Sequence, residues 1–489
     1  MLAQVTLDSE SSIPLYRQLA DAVSRLIEQG SMRVGDRLPP TRELAGHLGL
    51  NRTTVSAAYA WLENEGLIRG HVGRGSFVAK APESVQSARL DWDAILPRVE
   101  LSGAASVPAE ISFANSRPAD DAFPMEQFRR LAKEVIDSPD AREILQLGSP
   151  LGYAPLRRYL LEQARSEGLA NDFDDLIVTN GCQQGLDLLA RLLASRGETV
   201  ILEDPVYHGL LRVFERSGAS IVSIPVTEHG ADPEALEGAI ARHRPRAVVL
   251  TPSFQNPTGA SIPVSKRRRI VELVQRSGTI LIENDIYGEL RYHGESALAL
   301  KRLDESGHTI LLRSYSKVSF PGLRVGWVIA PRPVVAHLAE LKQTSDLHSD
   351  QLSQAVLLRF AESGELARHL VRTRQDGKQR LAAARNACRT YLPAGSKYTT
   401  PEGGMNLWVE LPGRLDSRDL LSKVLEQGVA FLPGHYFSVE RGHSRCLRLS
   451  FGGLSPEEIQ RGIRILGETA RRELAAFAES EFEPAPALV

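Results

Sequence analysis

The chain has 489 residues, of which 42% are hydrophobic and 24% charged, a composition typical of a folded protein with roughly two to four domains. Its formal net charge of −2 excludes an overall basic field for nucleic acid, so any contact with DNA must depend on a local patch. Three widely spaced cysteines exclude a CxxC metal site and fit a reducing cytoplasm, and we predict neither a signal peptide nor a membrane span.

The first predicted domain covers residues 10–80. Apolar residues recur at helical spacing in PLYRQLADAVSRLIEQG, in PTRELAGHLG and in a segment that begins near Asn51. The stretch GLIRGHVGRGSFVA then predicts two short strands around a Gly-Arg-Gly tip. Three helices followed by a hairpin are typical of a winged helix-turn-helix. Such a domain usually binds DNA, and the alternative is that it contacts another protein.

Residues 81–106 have no sustained periodicity and predict a linker, in which LDWDAIL is a candidate docking stretch. From residue 107 to 478 short apolar runs alternate with helical patterns, which predicts a mostly parallel sheet covered by helices on both faces. From about residue 345 to 478 we predict a smaller α+β subdomain, and over 479–489 a frayed tail. The apolar runs are DLIVTN (175–180), TVILEDP (199–205), AVVLTP (247–252), TILIEND (279–285) and TILLRS (309–314).

Polar residues follow all five apolar runs. Ligands in open α/β sheets bind at the carboxyl ends of the strands, so these residues predict one shared site. After the first run a Gly-Cys-Gln turn opens a helix, whose free N–H groups suit a phosphate. After the last run, Lys317 stands between serines with Arg324 seven residues later, an arrangement that suits Schiff-base chemistry beside a phosphate. A surface lysine on a loop is the alternative.

These ordered motifs, over residues 107–475, resemble the fold-type I, pyridoxal-phosphate-dependent aminotransferases. The stretch GDRLPPTRELAGHLGLNRTTVSAAYAWLENEGLIRGHVGRGSFV resembles the winged helix of GntR-type regulators, and the fusion of the two is similar to the MocR-type transcriptional regulators. The resemblance implies a winged helix-turn-helix followed by a three-layer α/β/α aminotransferase fold, with a large domain that binds pyridoxal 5'-phosphate and a smaller α+β C-terminal subdomain. It also implies a homodimer.

The resemblance assigns a role to each matching position. Lys317 is the candidate catalytic residue, which forms the Schiff base (aldimine) with pyridoxal phosphate. Tyr207 matches the residue that stacks on the ring, and Arg448 matches the arginine that binds the α-carboxylate of an amino-acid ligand. Because an unpaired arginine in an apolar strand is costly, we also expect an acidic partner for Arg448. The positions that match groups binding the cofactor's phosphate or phenolic oxygen are Gly181, Cys182, Gln183, Asn256, Tyr287, Ser314, Ser316 and Arg324.

Two positions depart from the pattern of these relatives. An acidic residue usually precedes the tyrosine of ENDIY by three positions and pairs with the pyridine nitrogen, but here that position is Asn284. Neighbours on a strand point to opposite faces, so either Asn284 faces the cofactor or a bulge lets Asp285 do so. Leu147 replaces a tyrosine that reaches the cofactor phosphate of the partner subunit. Both departures argue against efficient transamination.

For the winged helix, the resemblance implies contacts with a double-stranded operator. Residues 31–80 contain seven Lys or Arg against four acids, a local excess of the expected sign. Arginine binds guanine edges, threonine suits phosphates, and the wing tip suits the minor groove. The implied DNA-binding residues are Arg42, Arg52, Thr53, Thr54 and Arg74.

Three hypotheses follow. In the first, the protein is a cytoplasmic transcriptional regulator whose aminotransferase-like domain binds pyridoxal phosphate and senses an amine, an amino acid or the cofactor itself. In the second, it is an active aminotransferase with an accessory DNA-binding domain. In the third, it is a pyridoxal-phosphate reservoir or scaffold with little DNA specificity. Asn284 and Leu147 favour the first.

Overall fold

The chain divides into two units, residues 1–99 and residues 100–489. Most of the predicted linker and all but three residues of the predicted tail lie outside the part that the structure describes. None of the described helices combines the length and hydrophobicity needed to cross a membrane. The computed structural model describes residues 5–8, 11, 13–71, 74–79, 90, 92–96, 109–440 and 442–481.

The N-terminal unit is the predicted winged helix-turn-helix. One face of each helix packs on a shared core that includes Leu19, Val55 and Leu62, all fully buried. Gly49 ends the second helix in the left-handed conformation, at φ 67°, and the side chain of Asn51 caps the third. The hairpin strands pair antiparallel. The elements are α1 (Leu15–Glu28), α2 (Thr41–Leu48), α3 (Arg52–Asn64), β1 (Ile68–His71), β2 (Gly75–Val78) and the short α4 (Trp92–Ile95), which lies in LDWDAIL.

An eight-stranded sheet organises the second unit. Its strands are β4 (Asp174–Asn180), β5 (Thr199–Asp204), β6 (Ser220–Thr227), β7 (Gly230–Ala231), β8 (Ala247–Leu250), β9 (Ile280–Asn284), β10 (Thr309–Ser314) and β11 (Val325–Pro331). They lie in the order β4-β11-β10-β9-β8-β5-β6-β7. The five neighbours from β10 to β6 are parallel, whereas β11 runs antiparallel to both of its neighbours and β7 antiparallel to β6. All five predicted strands are present; β6, β7 and β11 were not predicted.

Helices cover both faces of this sheet, as predicted. Alternate residues of one strand pack on opposite sides: Leu312 belongs to one core, with Phe214 and Leu338, and Leu311 to the other, with Trp327 and Phe360. The helices up to the end of the large sheet are α5 (Met125–Ile136), α6 (Ala141–Ile144), α7 (Ala154–Ser166), α8 (Gly181–Leu193), α9 (His208–Ser217), α10 (Pro233–His243), α11 (Val264–Ser277), α12 (Leu300–Leu303) and α13 (Arg332–Asp346).

The C-terminal part forms the smaller α+β layer. Its antiparallel sheet has the order β12-β13-β16-β15, and β14 pairs in parallel with β3 (Ile111–Ser112) from the start of the unit. The chain therefore passes through this layer before it enters the large sheet. The remaining elements are β12 (Lys397–Tyr398), β13 (Asn406–Glu410), β14 (Val429–Ala430), β15 (Leu432–Pro433), β16 (Cys446–Ser450), α14 (Gln351–Glu362), α15 (Glu365–Tyr391), α16 (Ser417–Leu425) and α17 (Pro456–Glu481). Of these, α14 packs on the large sheet and not in the smaller layer.

Candidate cofactor and effector site

A cavity of about 530 Å³ opens at the carboxyl ends of the parallel strands. This is the edge at which the sequence placed the site, because loops that leave neighbouring parallel strands converge there. Gly181 and Asp285 do not line the cavity, whereas eleven predicted residues do. Those eleven are Cys182, Gln183, Tyr207, Asn256, Asn284, Tyr287, Ser314, Ser316, Lys317, Arg324 and Arg448.

The first turn of α8 and Arg324 form an anion cradle at one end of the cavity. Gly181 begins α8 at φ 72°, and a Cβ there would lie 2.4 Å from the Arg324 guanidinium, so a larger residue would push the arginine away. The Arg324 Nη2 donates to the carbonyl of Asn180 at 3.3 Å. Helix N-terminal N–H groups beside a guanidinium and the hydroxyls of Ser314 and Ser316 suit a dianionic phosphate.

Cys182 lies in the first turn of α8, next to Gly181. Burial raises the pKa of the Cys182 thiol to about 12, so the side chain is a neutral thiol and not a charged ligand. The backbone N–H of a residue in the first turn of a helix has no partner within that helix, so it is available to an anion. The electrostatics therefore agree with a main-chain role at this position.

Lys317 and Tyr287 lie together in the middle of the cavity. The Lys317 Nζ donates to the Ser116 carbonyl and lies 5.7 Å from the centroid of the Tyr287 ring. Burial would raise the pKa of the Tyr287 phenol, but the Lys317 ammonium, the Ser116 hydroxyl at 3.1 Å and Arg448 together lower it. An amine beside a phenol with a lowered pKa suits a site where protons move.

Asn284, and not Asp285, faces the cavity. The β9–β10 ladder continues regularly through Asn284, which pairs with Leu312, so the bulge that Asp285 would require is not present. The Asp285 carboxylate instead accepts from Arg313 Nε at 3.0 Å. Asp285, predicted as the alternative residue that faces the cofactor, therefore does not line the cavity, and that prediction is wrong. The Asn284 Oδ1 is buried and has no hydrogen-bond partner in the described structure, as expected of a group that meets a ligand.

Arg448 is a buried guanidinium without an acidic partner among the described residues, so the predicted carboxylate is absent. Its Nη1 donates to Asn256 Oδ1 at 3.1 Å and its Nη2 to the Ala114 carbonyl, while Nε is buried and unsatisfied. Its side chain lies over the Phe437 ring, and burial lowers its pKa to about 10. An anion that entered the cavity would offset this desolvation, since a buried charge is costly until it is paired.

Sequence reasoning missed the residues that close the cavity from outside the large sheet. Ala114, Asn115 and Ser116 come from the segment after β3, and Leu432 and Tyr436 from the smaller layer. These residues follow no strand of the large sheet, so the strand-end pattern could not identify them. Leu147 lies outside the cavity and is 77% exposed.

The predicted DNA-binding residues are found on the surface of the N-terminal unit. Arg42, Arg52, Thr53 and Arg74 are exposed, and Thr54 is half-buried. Arg52 and Thr53 begin α3, and Arg74 lies in the turn of the hairpin. Exposed arginines and the N-terminus of a helix suit DNA phosphates and base edges. The Gly73 part of the predicted wing tip lies outside the described residues.

Comparison with known proteins covers both units. The model of the aminotransferase class I and II family matches residues 111–466, and that of the gntR family of bacterial regulatory proteins matches residues 15–78. Aromatic-amino-acid aminotransferase 1 of Thermococcus litoralis is 33% identical over 408 residues, covering 80% of this chain and 98% of that protein.

Two further matches extend this picture. The probable rhizopine catabolism regulatory protein MocR of Rhizobium meliloti is 29% identical over 472 residues, covering 94% of this chain and 95% of that protein, so the match includes both units. The crystal structure of LysN, an α-aminoadipate aminotransferase from Thermus thermophilus complexed with N-(5'-phosphopyridoxyl)-L-leucine, superimposes with a TM-score of 0.73 at 34% identity. The superposition covers 79% of this chain and 100% of the LysN chain.

Proposed function

The chain belongs to the aminotransferase class I and II family and carries a gntR-family domain ahead of it, and from this MocR-type architecture we propose a DNA-binding regulator that senses an amino compound. DNA is its macromolecular partner through the N-terminal unit. The effector is an amine, an amino acid or pyridoxal phosphate itself, and the proposed location is the cytoplasm, where the operator would be.

The residues of the cavity fit pyridoxal phosphate. Bound to a lysine, this cofactor supplies a Schiff base that exchanges with amines and a ring that accepts electrons. The α8 cradle with Arg324 would hold its phosphate, and Lys317 its aldehyde carbon. The unsatisfied Arg448 Nε is a polar atom that a ligand carboxylate would supply with a partner. Asn284, whose amide oxygen is also unsatisfied, would face the ring of the cofactor. Tyr207, which also lines the cavity, is the candidate for stacking on the ring.

The orientation of Asn284 is the observation that favours regulation over turnover. A carboxylate at this position would keep the ring nitrogen protonated and the ring a strong electron sink, whereas a neutral amide does not. Asn284 lines the cavity, and the nearby Asp285 is held by Arg313. Binding of an amine requires Lys317 and a phosphate cradle, both of which the site retains. The geometry therefore supports recognition of an amine more strongly than repeated transamination.

Asn284→Asp should convert the protein into a better transaminase. Charged hydrogen bonds contribute about 1.5–3 kcal/mol, so we expect turnover with a matching amino acid to rise about ten- to 150-fold. The measurement is steady-state turnover of wild type and variant against a panel of amino acids and 2-oxo acids. Asp285→Asn is the matched control and should not raise turnover. Robust multiple turnover by the wild type would overturn the regulatory assignment and favour the active aminotransferase.

DNA binding tests the other half of the proposal. Labelled DNA from the region upstream of the protein's own gene should be bound specifically, and candidate amines should change its affinity. Footprinting at increasing salt separates operator recognition from non-specific phosphate binding, which weakens steeply with salt. Salt-sensitive binding without a defined footprint would favour the reservoir hypothesis instead.

We also propose a homodimer. Leu145, Leu147 and Leu347 are 68%, 77% and 56% exposed, and their two segments adjoin because Gln351 Nε2 donates to the Gln146 carbonyl at 2.8 Å. Neighbouring exposed leucines are typical of a surface that a partner covers.

Leu147→Asp should therefore weaken the dimer. Placing a charge within an apolar interface costs about 2 kcal/mol or more, which raises the dissociation constant about 30-fold. Sedimentation at micromolar concentration, with cofactor present, measures this. Phe173→Asp, at an 80% exposed position elsewhere, is the control and should leave the dimer intact. A monomeric wild type would contradict the proposal.

A further inference from the structure

A polar cluster lies directly behind the phosphate cradle and outside the cavity. It joins Asn180 and Gln184, at the start of α8, to Lys342 and Asp346 on the last turn of α13. The Asp346 Oδ2 accepts from Asn180 Nδ2 at 2.7 Å, from Gln184 Nε2 at 2.6 Å and from Lys342 Nζ at 2.8 Å. The Gln184 Oε1 accepts from the Asn180 backbone N–H at 2.8 Å and from Lys342 Nζ at 3.0 Å. A single carboxylate therefore holds both ends of the turn that begins α8.

This arrangement is a poor device for stability alone. Asp346 is the last residue of α13, where the helix dipole disfavours a negative charge. Lys342 is fully buried, and burial lowers its pKa despite the opposing effect of Asp346. The Asp346 side chain is 26% exposed, so the pair is half-buried, and the desolvation of Lys342 offsets much of what the pair contributes to stability. The contribution of this ion pair to the stability of the fold is therefore small, and we look for a second role.

The cluster holds Asn180 in place at the start of α8. Asn180 is the residue before Gly181, and its carbonyl accepts from Arg324 Nη2. Fixing Asn180 therefore fixes two parts of the cradle together, the N–H groups of the first turn of α8 and the acceptor that orients Arg324. Oriented donors bind an anion more tightly than mobile ones, because less freedom is lost on binding.

We infer that Asp346 is a positioning residue for the phosphate of the cofactor. It does not contact the phosphate itself and acts by holding Asn180 and Gln184 in place. This inference rests on the proposed binding of pyridoxal phosphate. Outer residues that orient the ligands of a metal change its affinity about 10–100-fold when they are replaced, and we expect the same order for a phosphate held by oriented N–H groups.

The test is Asp346→Asn, with affinity for pyridoxal phosphate and for pyridoxal measured by absorbance titration of the apoprotein. The variant should bind pyridoxal phosphate about ten- to 100-fold more weakly. Its affinity for pyridoxal, which has no phosphate, should not change. A purely structural defect would not separate the two compounds. Asp346→Glu, which keeps the carboxylate, should restore part of the loss.

A fully buried ion pair at the other end of β4 provides the control. Lys301 Nζ donates to Asp174 at 3.0 Å, with both side chains 2% exposed, at the opposite end of β4. Asp174→Asn should lower the urea midpoint of the apoprotein at least as much as Asp346→Asn, but it should leave both affinities unchanged.

Three results would overturn the inference. These are wild-type affinity in Asp346→Asn, an equal loss for both compounds, or the same selective loss in Asp174→Asn. If Asp346→Asn does not fold, Asn180→Ala removes one donor of the cluster. It should also bind pyridoxal phosphate more weakly, with unchanged affinity for pyridoxal. Wild-type affinity of Asn180→Ala for both compounds would also overturn the inference. A wild-type protein that binds no pyridoxal phosphate would be a different failure, because it would remove the proposed function itself.

Discussion

Lys317→Ala should abolish the covalent attachment of pyridoxal phosphate. Lys317 is the lysine among the described residues that line the cavity, and its Nζ lies between the Tyr287 ring and the segment at residues 114–116. Alanine has no amine, so no Schiff base can form at this position. The wild type should be yellow and should retain the cofactor after borohydride reduction and denaturation. The variant should release all of its cofactor in the same treatment.

Peptide mapping of the reduced protein identifies the site of attachment. Lys397→Met offers a control, since this lysine is exposed on β12 and does not line the cavity, so its replacement should leave the attachment at Lys317 unchanged. Attachment of the cofactor to a lysine other than Lys317, or its complete absence from the reduced wild type, would show the assignment to be wrong. DNA binding by Lys317→Ala measures whether the cofactor is needed for the operator at all.

The sequence predicted the strands that carry the site because two local patterns coincide. Apolar runs mark the buried strands, and the first polar residues after them fall at the carboxyl edge whatever the order of the strands. Lys317 and Asn256 could therefore be placed without the strand order. The unpredicted β11 is antiparallel to both of its neighbours, so it departs from the strand–helix alternation that identified the others.

Other parts of the site depend on distant pairings that no local pattern contains. The choice between Asn284 and Asp285 is made by the register of β9 on β10, where Asn284 pairs with Leu312. The partners of Arg448 are a carbonyl at residue 114 and an amide at residue 256, so its environment combines three remote segments. The burial of Arg448 without an acidic partner could therefore not be predicted from the sequence. The cost of burying an unpaired guanidinium argues for an acidic residue beside it.

Arg448→Ala should abolish the response to effectors that carry a carboxylate, while the cofactor and the operator remain bound. Arg448 lies on β16 of the smaller layer, and Lys317 follows β10 of the large sheet. A ligand that engages both must span the two layers and should draw them together. Removing one partner of a buried charge pair costs about 2–5 kcal/mol, or about 30-fold to several thousand-fold in effector affinity.

The segment at residues 114–116 suggests how this occupancy is sensed. The Ala114 carbonyl accepts from Arg448 and the Ser116 carbonyl from Lys317, so a ligand that binds both cations competes with this segment. The segment follows β3, which pairs in parallel with β14 of the smaller layer. A ligand shifts the operator equilibrium only to the extent that it prefers one arrangement of the segment. Coupling of this kind is typically about 1–3 kcal/mol, a five- to 150-fold change in operator affinity.

Titration of labelled operator with and without candidate effectors compares the variants directly. Arg445→Ala, three residues earlier and outside the cavity, removes the same charge and should respond as the wild type does. Arg52→Ala should show the reverse of Arg448→Ala, keeping its cofactor and losing the operator, because Arg52 is exposed at the start of α3. If Arg448→Ala still responds fully, the carboxylate is not what is recognised. The signal would then be an amine without a carboxylate, or pyridoxal phosphate itself.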